Sequence, residues 1–413
     1  VRKIDIVGNE KTSEKVIRRE ISLMPGQKYK QSAMMRSVRD ITQLNYFSNV
    51  NPDLRPNEDG TVDFVFEIAE KDNIGQLSVG AAYSQSQGLV GTFQISIPNF
   101  RGVGEQLDLN LQYGRDHKNV SVGFQEPWAF DTPTRLSGKV FYENSTYRAL
   151  TAGESDDEVT RYGFEVGASR RLKWPDDYFS AWARYGLSKE EEGRGSFPIR
   201  FETPDGDFKV RREGVLSKLS LGLVRNDTDV PLFPNSGSII TIAPEIAGLG
   251  GNYSYLKGTV GVQNYFPLFW KFVIGAEAKL GLIHNMGTWP ISISRYDLFN
   301  GGGVYMSDAM NRGYPDYSFG GYYDYEKKDG LSMVSLNTDI RFPILQDQLY
   351  FGVFADLGNT WSSLRQIDLR DLNKSVGFGF RLSIPMLGLL GFDFGWGLDD
   401  LNRDGHFSNK AQV

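Results

Sequence analysis

Apolar and polar positions alternate one for one along much of this chain. In residues 105–114, "EQLDLNLQYG", Leu107, Leu109, Leu111 and Tyr113 alternate with Gln106, Asp108, Asn110 and Gln112. Residues 161–169 set Tyr162, Phe164, Val166 and Ala168 against Gly163, Glu165, Gly167 and Ser169. Further on, Val376, Phe378, Phe380 and Leu382 oppose Ser375, Gly377, Gly379 and Arg381, and Phe392, Phe394, Trp396 and Leu398 alternate with glycines and Asp393. Successive strand side chains point to opposite faces, so each segment predicts a strand with one greasy face and one polar or bare face. A soluble sandwich produces the same alternation with its apolar faces packed inward.

Punctuation separates the two readings. From about residue 75 a strand recurs roughly every 20 residues, and the connectors between strands alternate in character. One set is short and rich in proline or aromatics: "EPWAFDTPT" (126–134), "KWPDD" (173–177), "YFPLFW" (265–270) and "FPILQDQ" (342–348). The other set is often long and charged, over residues 144–160, 188–214 and 283–330. Short turns at one end and long loops at the other describe an up-and-down transmembrane β-barrel, with aromatics near the membrane boundary. A closed barrel is the β-architecture that leaves no backbone hydrogen bond unmade in lipid. The fold class expected is therefore membrane all-β, an antiparallel barrel over residues 73–413. We count fifteen strands and the start of a sixteenth, which "FSNKAQV" (407–413) leaves unfinished.

The first 72 residues carry a different pattern. Val1, Ile4 and Ile6 lead into a Gly8-Asn9 turn, as a strand and its exit. Val16, Ile17 and Ile21 in residues 13–23, and Met34, Val38, Ile41 and Leu44 in residues 32–47, fall on helical faces, with Ser32 placed as an N-cap. A hairpin follows: Val50 to Arg55, a turn through Asn57-Glu58-Asp59-Gly60, then Val62 to Ile68. The order β-α-α-β-β predicts a small α+β domain over residues 1–72.

Composition narrows the chemistry. The 413 residues include 46 glycines and 13% aromatics, which suits strands and turns. Cysteine is absent, so thiol catalysis, disulfides and thiolate metal sites are excluded, and His117, His284 and His406 are spread too far apart to predict an all-histidine metal site. A net charge of −6 gives no footprint for nucleic acid. No stretch approaches the ~20 apolar residues of a membrane helix. No nucleophile elbow, histidine pair or ATP site is readable, and no enzyme or cofactor is expected.

The N-terminal segments "VRKIDIVGNEKTSEKVIRREISLMPGQKY" and "LNYFSNV" resemble a POTRA domain. With "PNFRGVGEQL" (98–107), "RNDTDVPLFPNSGS" (225–238), "FADLGNTW" (354–361), "LSIPMLGLLGFDFG" (382–395) and "NRGY" (311–314) in that order behind it, nearly the whole chain resembles the BamA-type outer-membrane assembly family. The resemblance implies one POTRA domain followed by a 16-stranded barrel. It also implies that loop 283–330 folds into the lumen, where an Arg-Gly-aromatic tip is held by acidic residues of the wall. Asn311 departs from the family pattern, which has an aliphatic residue there, and the stretch from Gly301-Gly302-Gly303 to Arg312 is longer than the family's.

Arg312, Gly313 and Tyr314 are then the expected latch, with Asp339 and Asp356 as acidic partners. Both aspartates oppose the apolar face of their strands: Asp339 against Leu336, Ile340 and Phe342, and Asp356 against Val353, Ala355 and Leu357. Arginine can engage a carboxylate bidentately; Gly313 would let the loop turn tightly, and Tyr314 would pack with its hydroxyl in water. The plainer alternative leaves Arg312 solvated and pairs Asp339 with Arg341.

The function implied by the resemblance is an insertase for nascent outer-membrane β-proteins, with the barrel in the bacterial outer membrane and the POTRA domain in the periplasm. Its implied partners are unfolded barrel clients, accessory periplasmic lipoproteins and chaperones, and the lipid bilayer. The first barrel strand, with Gly75, Gln76, Leu77, Ser78, Val79 and Gly80, is short and glycine-bearing, so it is expected to hold its closing partner weakly and to offer a template edge by β-augmentation. The alternatives are a POTRA–barrel pore that translocates a soluble polypeptide and a passive channel, which has no use for a POTRA domain.

Overall fold

The computed structural model describes all residues except 73, 85–87, 148–156, 193–198, 203–207, 212, 231–232, 288–291, 295–296, 304–306, 321–329, 346–347, 385–387 and 400–413. The unfinished sixteenth strand read at 407–413, and His406, lie outside the described residues.

The N-terminal domain is built from β1 (Lys3–Val7), α1 (Glu14–Arg18), α2 (Gln31–Gln43), β2 (Phe47–Pro56) and β3 (Val62–Glu70). Its sheet has the order β1-β3-β2, with β1 parallel and β2 antiparallel to the central strand. Alternate residues of β3, Phe64, Phe66 and Ile68, meet Ile4, Ile17 and Ile41 in the core. The hairpin turn closes where Asn57 N–H donates to Thr61 O and Gly60 takes a φ of +74°.

Two helix readings need correction. The period over 13–23 gives only the short α1, because Ile21 and Leu23 are both buried in one core. A continued helix would turn Leu23 about 200° away from Ile21. Lys30, not Ser32, occupies the N-cap of α2 and makes no side-chain cap bond. The helix ends where Asn45 adopts a left-handed φ of 62°, which asparagine tolerates well at this position.

By contact the chain divides into two compact units, and residues 94–109 and 122–137 group with residues 1–77 in the first. The reason is hydrogen bonding within that unit. Asn99 Nδ2 donates to Thr12 Oγ1 at 2.8 Å while its Oδ1 accepts from Gly104 N–H at 2.8 Å, and Ser13 N–H donates to Gly102 O. The Arg19 guanidinium lies over the Trp128 ring at 5.3 Å, and burial beside it pushes the Glu20 carboxyl above the usual carboxylate range. The segment "PNFRGVGEQL" thus serves as a dock for the N-terminal domain.

The remaining strands are β4 (Gln76–Ser84), β5 (Gly88–Phe100), β6 (Glu105–Gly114), β7 (His117–Glu126), β8 (Thr134–Tyr147), β9 (Asp157–Arg171), β10 (Phe179–Glu192), β11 (Ile199–Glu202), β12 (Phe208–Arg211), β13 (Glu213–Asn226), β14 (Gly237–Ala247), β15 (Tyr255–Pro267), β16 (Val273–Asn285), β17 (Asn300–Gly301), β18 (Phe319–Gly320), β19 (Ser332–Leu345), β20 (Leu349–Trp361), β21 (Asn373–Ile384) and β22 (Gly388–Gly397). Fifteen of these form one sheet, in chain order from β4 to β22, while β11–β12 and β17–β18 are small separate hairpins. The two ends of the sheet are β4 and β22, so the described residues contain fifteen sheet strands rather than sixteen.

Exposure settles which face of the sheet is apolar. Tyr162, Phe164 and Val166 on β9 are 40–48% exposed, and Val376 and Phe392 near the other end are 41% and 55% exposed. The buried face instead carries Glu190, Ser217, Ser335, Asn337, Asp356 and Ser375. This is the inverse of a water-soluble fold, in which those aliphatic and aromatic rows would be covered. An apolar outer face with polar groups inside is the arrangement of a membrane barrel. No helix among the described residues is long and apolar enough to cross a membrane.

The N-terminal core yields a test. Phe66 is fully buried, and Phe66→Ala removes about 3–5 kcal/mol from a domain of modest size. Limited trypsin digestion of the variant chain should cleave within residues 1–71 while the barrel keeps its anomalous gel migration without heating. An unchanged digestion pattern would show that the ring does not support that core.

Candidate functional site

Loop 286–331 starts from β16 and returns to β19, and its described part lies against the inner face of the sheet. Two regions hold it. The first region was not expected from the sequence. Glu190 on β10 is 1% exposed and accepts from Arg161 Nε at 2.8 Å and from Ser294 Oγ at 2.6 Å. Arg161 also lies 3.6 Å from Asp297, whose carbonyl accepts from Lys257 Nζ at 3.0 Å. Ile293, Leu298 and Phe299 fill the space beside it together with Tyr253, Tyr255 and Met333. Alternation does place Arg161 and Glu190 on the polar faces of their strands, but nothing in the pattern says that a loop some hundred residues away needs them.

The middle of the loop folds on itself through the triple glycine. Gly303 N–H donates to Asn311 O at 2.9 Å and Asn311 N–H donates back at 3.1 Å, while Asn300 and Gly301 pair with Gly320 and Phe319. Gly302 and Gly303 take φ values of +96° and +60°, and a Cβ on either would collide with the 315–318 segment. The glycine run is therefore a backbone crossing, and the stretch after it supplies the chain that crosses.

The tip is the second holding region. Arg312 donates from Nε to Asp356 Oδ2 at 2.8 Å and from Nη2 to Oδ1 at 2.7 Å, and its backbone N–H adds a third bond to Oδ2 at 3.0 Å. Asn337 Nδ2 donates to the same carboxylate at 3.0 Å. The guanidinium is 8% exposed, the carboxylate 0%, and the Phe354 ring centre lies 3.6 Å from Arg312 Cζ. A bidentate pair with its remaining valences filled is the geometry in which a buried ion pair survives desolvation.

Asp339 does not share the fork. It faces Phe354 across the β19–β20 ladder, and the Phe354 ring packs against the Arg312 guanidinium. Asp339 lines a cavity of about 210 Å³ with Arg312, Arg341, Arg381 and Asp393. The plainer pairing with Arg341 is not taken either: that guanidinium donates to Pro234 O and stacks over Tyr265.

Two expected roles change. Gly313 has no unusual φ; it is required because a Cβ there would meet Ser375 and the backbone of β22, with Gly397 N at 2.6 Å. Tyr314 is only 5% exposed, and its hydroxyl donates to Lys374 O at 3.0 Å and accepts from Asp399 N–H at 3.1 Å rather than from water. Asn311, fully buried, donates from Nδ2 to Asn373 O at 2.8 Å, a bond the aliphatic residue of the family pattern could not make. At the start of the sheet, Gly75 precedes β4 while Gln76, Leu77, Ser78, Val79 and Gly80 lie within it; Leu77 and Val79 face outward. A Cβ on Gly80 would meet Thr92 Oγ1 at 2.7 Å.

The Arg312–Asp356 geometry predicts unequal effects of the two aspartates. Asp356→Asn should destabilise the loop by about 3–5 kcal/mol, as expected when one partner of a buried pair is removed, and Asp339→Asn by much less. Protease cleavage within 286–331 of the folded protein checks this: equal sensitivity of the two variants would mean that Asp356 does not outweigh Asp339 in holding the loop tip. A double-mutant cycle of Arg312→Ala with Asp356→Ala should be strongly non-additive.

Comparison with known proteins agrees with this architecture. The profile of the Omp85 superfamily domain matches residues 99–409, and that of the POTRA family (surface antigen variable number repeat) matches residues 1–71. The chain is 27% identical to the outer membrane protein assembly factor BamA of Neisseria meningitidis, over 92% of this chain and 49% of that protein. Among solved structures, BamA from Haemophilus ducreyi lacking POTRA domains 1–3 superposes with a TM-score of 0.77 at 20% identity, covering 100% of this chain and 82% of that one. CdiB from Acinetobacter baumannii superposes with a TM-score of 0.62 at 15% identity, covering 100% and 72%. The chain spans about half the length (49–51%) of the bacterial assembly factors it matches.

Proposed function

The chain belongs to the Omp85 superfamily, and from that premise we propose that it folds and inserts nascent β-barrel proteins into the bacterial outer membrane. The observation that carries this reading is the pair of sheet ends. β4 and β22 terminate the fifteen-stranded order, and no ladder joins them among the described residues. Unpaired backbone in lipid is costly, so an edge there either closes on a partner or recruits one. β4, nine residues long and bearing Gly80, gives a partner few rungs. A client strand that adds to this edge satisfies both backbones, and the client's own folding then supplies the free energy.

The N-terminal domain would lie in the periplasm, where its exposed edges β1 and β2 offer the same kind of pairing to an unfolded client before it meets lipid. Accessory lipoproteins and chaperones would act from this side. No covalent chemistry is assigned to any residue. The Arg312–Asp356 pair, which Gly313 lets approach the wall, acts as a latch that keeps the loop inside the barrel.

The test is a reversible lock on the edge. Ser78→Cys is combined with a cysteine scanned through residues 401–413 in the full-length protein in cells, a pairing that the cysteine-free chain allows cleanly. Disulfide formation should stop assembly of an unrelated outer-membrane barrel, and reduction should restore it. Continued assembly with the lock closed, alongside arrested export of a soluble polypeptide, would transfer the function to the lumen and to the secretion reading.

A further inference from the structure

The Tyr314 hydroxyl sits where two strands stop pairing. The β21–β22 register runs from Ile384 opposite Gly388 to Ser375 opposite Gly397. Beyond that last pair, Leu398 N–H donates to Lys374 O at 2.8 Å and Lys374 N–H donates to the Asp399 carboxylate at 2.7 Å. The Tyr314 hydroxyl enters at this point, donating to Lys374 O and accepting from Asp399 N–H. It joins a backbone group of β21 to one of the chain just after β22, as a further ladder bond would.

The inner faces of both strands are shaped to let it arrive. Gly377, Gly379, Gly391, Gly395 and Gly397 alternate along them, and the loop occupies the space that side chains at Gly395 and Gly397 would take. A Cβ on Gly395 would collide with Arg312 O, and one on Gly397 would lie 2.8 Å from the Tyr314 ring. The ring is held on its other side by Phe319, edge-on at 6.3 Å between centroids. Among the described residues Arg312 hydrogen-bonds Asp356 of β20, whereas Tyr314 bonds β21 and the chain that follows β22, the last strand of the sheet order.

We propose that Tyr314 is a positioning residue for the end strand: its hydroxyl acts as the terminal rung between β21 and β22 and couples the lumen loop to the edge of the sheet. Arg312 and Tyr314 then have separable roles, the first holding the loop and the second holding the strand. A departing loop withdraws the rung and frees the end of β22 and the chain that follows it. Only this last consequence, for client assembly, rests on the insertase reading.

Tyr314→Phe removes the hydroxyl and keeps the ring. Hydrogen exchange of the full-length protein in nanodiscs should show the Asp399 amide exchanging about five- to tenfold faster, the loss of one neutral hydrogen bond. Protease resistance of loop 286–331 should stay at the wild-type level, because the Arg312–Asp356 pair is intact. Gly397→Ala, which crowds the ring, should reproduce the faster exchange with the hydroxyl still present. Unchanged exchange at Asp399 in both variants overturns the proposal, as does loop cleavage in Tyr314→Phe, which would make the hydroxyl only another loop anchor. Client assembly is measured in parallel. Faster exchange with normal assembly upholds the rung and counts against the edge as the working surface.

Discussion

A guanidinium buried inside a membrane barrel must find a carboxylate, and most of what is unusual in this structure follows from that requirement. Arg312 reaches Asp356 only because a loop of more than forty residues turns inward, crosses itself at three glycines and lies flat against the wall. The carboxylate is ready for it: Asn337 already donates to one oxygen, and Phe354 supplies a ring face for the cation. Either charge alone would be an uncompensated charge in a dry site, so the loop and the wall stabilise each other or neither does.

The same demand explains the composition of the last two strands. Their outer faces are dense with aromatics, Phe378, Phe380, Phe394 and Trp396, and their inner faces are mostly glycine. Glycine weakens a strand, since it packs nothing and loses more freedom on folding. At Gly395 and Gly397 the loop tip provides the missing packing through Arg312 O and the Tyr314 ring, so this end of the strand depends on the seated loop. At its other holding region, Glu190, Arg161 and Asp297 anchor the loop to β9 and β10. The loop is thus tethered at two separated regions of the wall, and releasing one does not free the other.

The strands were legible because alternation is a property of the backbone: side chains a residue apart face opposite ways whatever the surroundings. The parity of Asp339 and Asp356 was legible for the same reason. Parity could not say which aspartate receives Arg312, since that depends on where the loop tip comes to rest, which is at Asp356 with the guanidinium over the Phe354 ring. The helices were less clear. Val16 and Ile17 mark α1, but its end is decided by Ile21 and Leu23 reaching one core, and the left-handed turn at Asn45 that stops α2 becomes visible only once φ is known.

What the sequence determined by itself is local and periodic: strand positions, the apolar outer row, the small α+β domain at the start and, through resemblance, the arginine of the loop tip. What the tertiary structure alone decided is who meets whom at long range. Glu190 meets Ser294 across 104 residues and Tyr314 meets Asp399 across 85. Gly313 proved necessary for close approach rather than for a turn. These pairings have no periodic signature, because they depend on how the sheet curves and where a loop comes to rest, and one residue of spacing carries no information about either.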